Sequence, residues 1–470
     1  MRPNIALTSL VLASAVLATP SVASAAAPWS APQPVPGSQD ASPFTVGLSL
    51  GRAERGVIGF SVNPHPELLG SPQSGAIAGY PDGPPLPAQS LGSYDLAAAP
   101  VAYAEDGAVV AQQRFIHRGP GIYRLAVSLA SPAAGTGTGT RTILDDRVKL
   151  RDVAVAANPD GRAAVAWTED RGYSGRRANN DRLYLSLRPV GGRFGKPTVL
   201  VGSGKLASVS VAYGDNGHLV VAFERQAINR AGTPGPRRVQ ARYRGTRGHG
   251  FEPIDDLGLE RGVTDLVTRV ATDGRAFVAW GTQDGGIEAN DPFEVYAATK
   301  PRTFSRFRDA IQLFRGRGRS VDRPRGHLSL ALDRSGAIAV LAFTGVADGG
   351  PTVGTLQPVL VSTTNRSGTF ALPALVPGAN GAVGGLIAKP GGEATVVWTG
   401  LKPGFAEDAT GVFASTRPAA GAFPATPEVV SATPPVPTSI PSLALSAAGG
   451  APVVAWYEQR ATGVLTSRRG

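Results

Sequence analysis

Three charged runs stand at corresponding places in this chain. Glu169-Asp170-Arg171, Glu224-Arg225 and Glu458-Gln459-Arg460 each follow an aromatic that closes an apolar run, and Gln113-Arg114 takes the matching place upstream. Carboxylate beside guanidinium, repeated, would make a ring of mixed charge. Such a ring suits a charged or sugar-like ligand held by charge-assisted hydrogen bonds. The same residues would serve equally to pair neighbouring units and set their register. Repetition favours that second use, because a catalytic site is needed only once.

Other chemistry is thinner. Arg315, Arg317, Arg319, Arg323 and Arg325 form the most basic run. It could grip phosphates or acidic glycans, or be a solvated arginine-rich loop. No aromatic interleaves with it, so base stacking is unsupported and specific nucleic-acid recognition is not expected. Asp284, Glu288, Asp291 and Glu294 supply oxygen ligands of the kind Ca2+ takes, and Asn179-Asn180-Asp181 occupies the matching loop of an earlier unit. Neither has EF-hand spacing, and Asn-Asp before a strand is ordinary turn chemistry. No other cofactor or metal is expected. His65, His117, His218, His249 and His327 show no ligand spacing and read as surface or turn residues. A serine elbow, a phosphate loop and a zinc motif are all missing.

The elements that position these residues are written as a repeat. AVAANPDGRAAVAW, VSVAYGDNGHLVVAF, TRVATDGRAFVAW, LIAKPGGEATVVW and ALSAAGGAPVVAW each pair two apolar runs across a polar turn ending in Gly. The closing aromatics are Trp167, Phe223, Trp280, Phe343, Trp398 and Trp456, at spacings of 56, 57, 63, 55 and 58. Weaker copies surround Gly56 and Gly107, without the aromatic at the matching position. Within residues 151–202 the order is an apolar strand, an Asn-Pro-Asp-Gly turn, a second strand apolar on both sides, a polar loop, an alternating third strand and a Pro-containing fourth. Pro suits an outer strand, which tolerates a missing N–H. Fourth-strand copies read at Phe251-Glu-Pro253, Phe370-Ala-Leu-Pro373 and Phe423 to Pro427.

Four-stranded units repeated side by side predict an all-β fold, a β-propeller of eight blades, with seven if the Gly56 unit is irregular. The last unit ends one strand short, and Pro28-Trp29-Ser-Ala-Pro32 matches the fourth-strand pattern. An N-terminal strand is therefore expected to complete the last blade and close the ring. Asn158-Pro-Asp-Gly-Arg-Ala-Ala-Val-Ala-Trp is similar to the repeat of TolB-type (PD40-like) propellers. Thr363-Thr-Asn-Arg-Ser-Gly-Thr-Phe370 resembles a degenerate Asp-box of the sialidase superfamily. Both resemblances imply the propeller fold, which hosts unrelated functions. A sialidase would also need three converging arginines and a Tyr–Glu nucleophile pair. Tyr457-Glu458 are sequence neighbours that point to opposite faces of a strand and do not supply that pair.

Residues 1–25 have one Arg, an apolar stretch and Ala23-Ser24-Ala25, the parts of a bacterial secretory signal peptide. Residues 26–470 are then one propeller domain, secreted and extracellular, without a membrane anchor, and expected to be a monomer. Cys 0 excludes disulfides, and Gly 60 and Pro 40 suit many tight turns. The net charge of +11 becomes +10 without Arg2, and it is scattered rather than banded. Arginine bias of a GC-rich genome and attraction to polyanions both account for it.

Strand order places the first-to-second and third-to-fourth turns on one face and the remaining connections on the other. The long charged loops, at 169–181, 225–238, 282–294 and 345–358, all fall on that second face. The expected role is binding or scaffolding there, near the central channel. The alternatives are a glycan-active enzyme (a sialidase-like hydrolase or lyase) on the same ring, or a binder of polyanions at the cell surface.

Overall fold

The structure is a computed structural model. It describes residues 28–39, 41–50, 55–62, 74–81, 84–91, 95–96, 102–104, 107–115, 123–130, 141–171, 181–229, 233–246, 250–260, 262–283, 292–317, 328–333, 335–347, 358–401, 410–419, 421–431, 443–446, 451–458 and 463–469. The expected signal peptide lies outside these residues.

Eight antiparallel sheets form the eight blades of a β-propeller. We letter the strands a to d from the channel outward. Blade 3 runs Leu150–Ala157, Ala163–Glu169, Arg182–Arg188 and Thr198–Val201. Blade 4 runs Lys205–Tyr213, Leu219–Ile228, Pro234–Arg244 and Asp255–Glu260; blade 5 runs Val263–Val270, Ala276–Gln283, Pro292–Lys300 and Ile311–Arg317. Strand a of each blade lies against strand a of the next, all the way round. Blade 8 takes its fourth strand from the other end of the chain: Gln33–Pro34 pairs with Gly463–Arg468, and Trp29 bridges Arg469. The ring is therefore closed by hydrogen bonds, and no sheet edge is left where it meets itself.

Burial follows from that arrangement. Each strand b is covered on both faces, and in blade 3 every residue from Ala163 to Glu169 is buried. The hydrophobic core is divided into eight clusters, one at each blade–blade interface; Val153, Val165 and Trp167 pack against blade 2, and Ala164, Leu183 and Leu185 against blade 4. The closing aromatic is the largest group in most of them. In blades 3 and 5 it stacks on an aromatic directly opposite in strand c, Trp167 on Tyr184 at 5.3 Å and Trp280 on Tyr296 at 5.7 Å between ring centres. Such cross-strand pairs add about 0.5–1.5 kcal/mol beyond the area they bury.

Three local expectations are corrected. Blade 1 does carry the aromatic: Gly56 is the first residue of its strand b, which places Phe60 fifth, as Trp167 is fifth from Ala163. Phe60 is fully buried. Gly56 opens this strand, whereas the repeat-turn Gly161 stands two residues before its strand, so the two glycines are not equivalent. The Phe-to-Pro segments lead into strand d rather than forming it; strand d begins at Asp255 and at Ala374, after Pro253 and Pro373. Phe194, Phe370 and Phe423 each bury their ring in this lead-in. Finally, residues 225–228 and 234–238 do not belong to a loop but extend strands b and c as a pair, with Arg225 opposite Arg238, Ile228 opposite Pro234 and a register shift between Gln226 and Ile228.

Candidate functional site

The face bearing the b–c and d–a connections is built, in blades 3 to 5, from the end of strand b, the start of strand c and the start of the next strand a. The carboxylates there reach across blade boundaries to backbone amides. Asp152 accepts from Val209 N at 2.8 Å, and Asp181 from Leu206 N at 3.0 Å and Arg171 N at 3.1 Å. Glu224 accepts from the backbone N–H of Val263 in blade 5. Leu206 and Val263 stand at the start of the neighbouring innermost strands, Val209 follows the register shift in one of them, and Arg171 lies in blade 3 itself. Buried carboxylates thus cap them and fix the register between blades.

The guanidinium groups have the opposite disposition. Arg171 Nε lies 2.7 Å from Glu169, Arg237 Nη1 3.1 Å from Glu224, and Arg151 Nη2 3.1 Å from Asp170, which also pairs with Lys149 Nζ at 3.0 Å. The carboxylate side chains are 11 %, 5 % and 14 % exposed; their arginine partners are 40 %, 46 % and 38 % exposed. Each acid is tucked under the cation it holds. Burial pushes the Glu224 carboxyl up against the pull of Arg237, and the hydrogen bond from Arg171 to Glu169 raises Arg171 above the usual arginine value. The result is a surface whose outermost charged atoms are guanidinium nitrogens.

The predicted residues divide accordingly. Glu169 and Arg171 pair at the end of strand b in blade 3, on the side of Asp145 in blade 2; Asp170 holds Arg151 and Lys149 at the start of strand a; and Glu224 in blade 4 faces blade 5. Arg225 is turned to the d–a connection, donating to Ser203 O at 2.9 Å and Ser203 Oγ at 2.8 Å. Glu458 is buried and accepts from Trp456 Nε1 at 3.2 Å. Its neighbour Tyr457 packs on the opposite side of the strand, against blade 1. Arg114 stands in blade 2 opposite Arg124. Arg315 pairs with Glu294 at 3.5 Å and is 66 % exposed. Arg317 ends strand d of blade 5. Asp284, Glu288, Asp291, Arg319, Arg323, Arg325 and Arg460 lie outside the described residues. Among the described residues no group of three His, Asp or Glu is placed to hold a metal.

Lys149, Arg151, Asp152 and Arg237 were missed. They do not follow the closing aromatic, which marks the charged runs in the sequence. They sit where strand a starts or opposite the extended end of strand b, positions that only the pairing register defines.

The other face carries a group of titratable residues that its sequence gave no reason to join. Tyr243 Oη lies 2.6 Å from His218 Nδ1 and donates to Gly274 O at 2.8 Å. Lys300 Nζ sits 4.0 Å over the Tyr243 ring, donates to Phe304 O at 2.6 Å and lies 3.7 Å from Glu252. Burial pulls His218 and Lys300 below their usual values and pushes Tyr243 and Glu252 above theirs. His218 is thus no free surface residue. It is wedged beside Gly274, where φ is +90° and an added Cβ would meet Nε2 at 2.8 Å.

No protein-family model and no curated protein matches the sequence. Among solved structures, the polysaccharide lyase Uly1 is similar at 11 % identity and a TM-score of 0.46, over 78 % of this chain and 88 % of that one. A mutant of NanB sialidase from Streptococcus pneumoniae is similar at 7 % identity and a TM-score of 0.37, over 94 % of each chain. An alpha-L-arabinanase from Penicillium chrysogenum is similar at 10 % identity and a TM-score of 0.40, over 72 % of this chain and 98 % of that one.

Proposed function

We propose that this protein is an exported binding propeller that holds an anionic polymer, such as an acidic glycan, on the b–c/d–a face of blades 3 to 5. One observation carries the reading: on that face the carboxylates are buried and committed, and the guanidinium groups they position are exposed. Arginine forks held in place beforehand recognise carboxylate and sulfate bidentately, with less side-chain entropy to lose on binding. Glycosidic cleavage would instead need one carboxyl to protonate the leaving group and another to face the sugar. Glu169, Asp170 and Glu224 point into arginines and backbone amides, which favours holding over cutting. The scattered basic charge adds long-range attraction to the same class of ligand.

Equilibrium binding of the mature chain to acidic and neutral polysaccharides of matched length tests this. The expected result is saturable binding to the acidic polymer, weakening steeply with salt, with no new chain ends released. Equal binding to both polymers, or none to either, would overturn the proposal. Release of chain ends would restore the glycan-active alternative.

A further inference from the structure

The innermost strands have no strand on their inner side, so their inner edges line the channel. Charged residues of these strands, Arg151, Lys205 and Asp265 among them, stand near the b–c/d–a end. Toward the other end one charged residue stands apart. Arg269 is the penultimate residue of strand a in blade 5, opposite Phe277. The corresponding positions are Ala156, Ala212, Ala331 and Ile387, all buried, whereas Arg269 is exposed to solvent.

Solvent reaches the Arg269 side chain, yet protein surrounds it closely enough to pull it below the usual arginine value, with burial as the cause and no charge opposing it. Both conditions hold together in a water-filled interior space, and on an innermost strand that space is the channel. The side chain makes one hydrogen bond among the described residues, Nη1 to Thr268 O at 2.9 Å. A guanidinium offers five N–H donors, so most of the fork is unspent. Thr268 itself is fully buried and tied to Ser210 of blade 4 at 3.0 Å, which fixes the wall from which Arg269 projects. Arg151, Arg171 and Arg237 each have a carboxylate beside them; for Arg269 none of the described residues supplies one.

We propose that Arg269 is an anion-binding site inside the channel, near its a–b-turn end, taking a small carboxylate or tetrahedral oxyanion such as sulfate or phosphate. The ligand would accept two parallel N–H bonds from the fork and neutralise a charge that the fold otherwise leaves alone. This site does not depend on the arginine-rich face, because Arg269 lies at the other end of its strand from the b–c loops.

The test is calorimetric titration of sulfate, and separately acetate, into the mature chain at constant ionic strength, with Arg269→Met and Arg269→Lys alongside. Wild type should bind about one anion per chain with roughly millimolar affinity, Arg269→Lys should bind it more weakly, and Arg269→Met should lose about tenfold or more. Melting in anion-free buffer gives an independent sign. Arg269→Met should melt higher than wild type, since it removes an uncompensated charge, and should no longer be raised by sulfate beyond the general salt effect. Unchanged sulfate affinity in folded Arg269→Met, or no saturable binding to wild type, would overturn the site. Should Arg269→Met fail to fold, unchanged affinity in Arg269→Lys for both anions would do the same. Binding of sulfate but not acetate would restrict the ligand to tetrahedral oxyanions.

Discussion

Arginine does different work on the two faces of the ring. On the a–b/c–d face, Arg188 Nη1 donates to Gly161 O at 2.5 Å and its Nε to Gly192 O at 2.9 Å; Arg242 donates to Leu200 O and Glu252 O, both at 3.1 Å; and Arg275 reaches Arg366 O at 3.0 Å in blade 6. Those side chains fasten turns, and burial pulls Arg242 below its usual value. The turns also fasten each other. Asn158 Nδ2 donates to Gly214 O at 3.3 Å, Asn216 Nδ2 to Thr272 O at 2.5 Å, and Thr272 Oγ1 to Ser335 O at 3.1 Å, each one blade onward. On the b–c/d–a face most of the fastening is done by carboxylates; Arg225 holds Ser203, while Arg151, Arg171 and Arg237 are left outside. The repeat therefore closes one face with its own turn residues and leaves cations standing on the other.

That contrast can be broken in order of size. Trp280→Ala should remove the scaffold beneath both faces, costing about 3–5 kcal/mol in denaturant unfolding, with binding lost only in step with folding. Tyr243→Phe should cost about 1–3 kcal/mol, because His218 Nδ1 and Gly274 O lose a shared partner, while affinity for an acidic polymer stays at the wild-type value. Arg171→Gln and Arg237→Gln should do the reverse. Each should weaken polymer binding by about tenfold, and stability should fall by only about 1 kcal/mol, since the amide still donates to the carboxylate below. Glu224→Gln should be the mildest. Its folded pKa is raised, so its contribution to stability grows as pH falls toward the unfolded value of 4.5, and the amide mimics the protonated form. Melting should change little, and binding should hold or tighten.

Titration sharpens the same comparison. His218 is depressed from 6.5 in the folded state, so the unfolded chain takes up its proton first. The stability it contributes is present above about pH 6.5 and falls as pH drops below it. Tyr243 is raised from 10.0, so its contribution holds below that value and is lost as pH rises above it. Stability curves of His218→Gln should lose the acid-side slope; an unaltered slope would remove His218 from the account.

Much of the ring was legible because the repeat is written in residues that each have one use. Asn158-Pro159-Asp160-Gly161 turns the chain, with Gly161 at φ +93°, and the aromatic five residues into strand b fills the interface. The strand shared between Trp29 and Arg469 was readable as a missing fourth strand at one end and a spare one at the other. The site was legible only in part. Glu169, Asp170, Arg171 and Glu224 follow the aromatic, but Arg151 and Arg237 are set by register, and register depends on pairing across many residues. His218 and Tyr243 sit 25 residues apart and meet only because strand c returns beside the a–b turn. The paired segments 225–228 and 234–238 were hidden by their charges, which read as a loop when both faces are solvated.

The central claim is that position, and not net charge, makes the b–c/d–a face the binding surface. The most direct test compares two triple variants with the same loss of charge on a column of sulfated polysaccharide. One carries Arg151→Gln, Arg171→Gln and Arg237→Gln; the other carries Arg193→Gln, Lys196→Gln and Arg366→Gln, exposed on the opposite face. The account predicts that the first elutes at much lower salt with a shallower salt dependence, and that the second elutes close to wild type. Equal shifts for the two variants would contradict it and leave only the overall charge of the molecule.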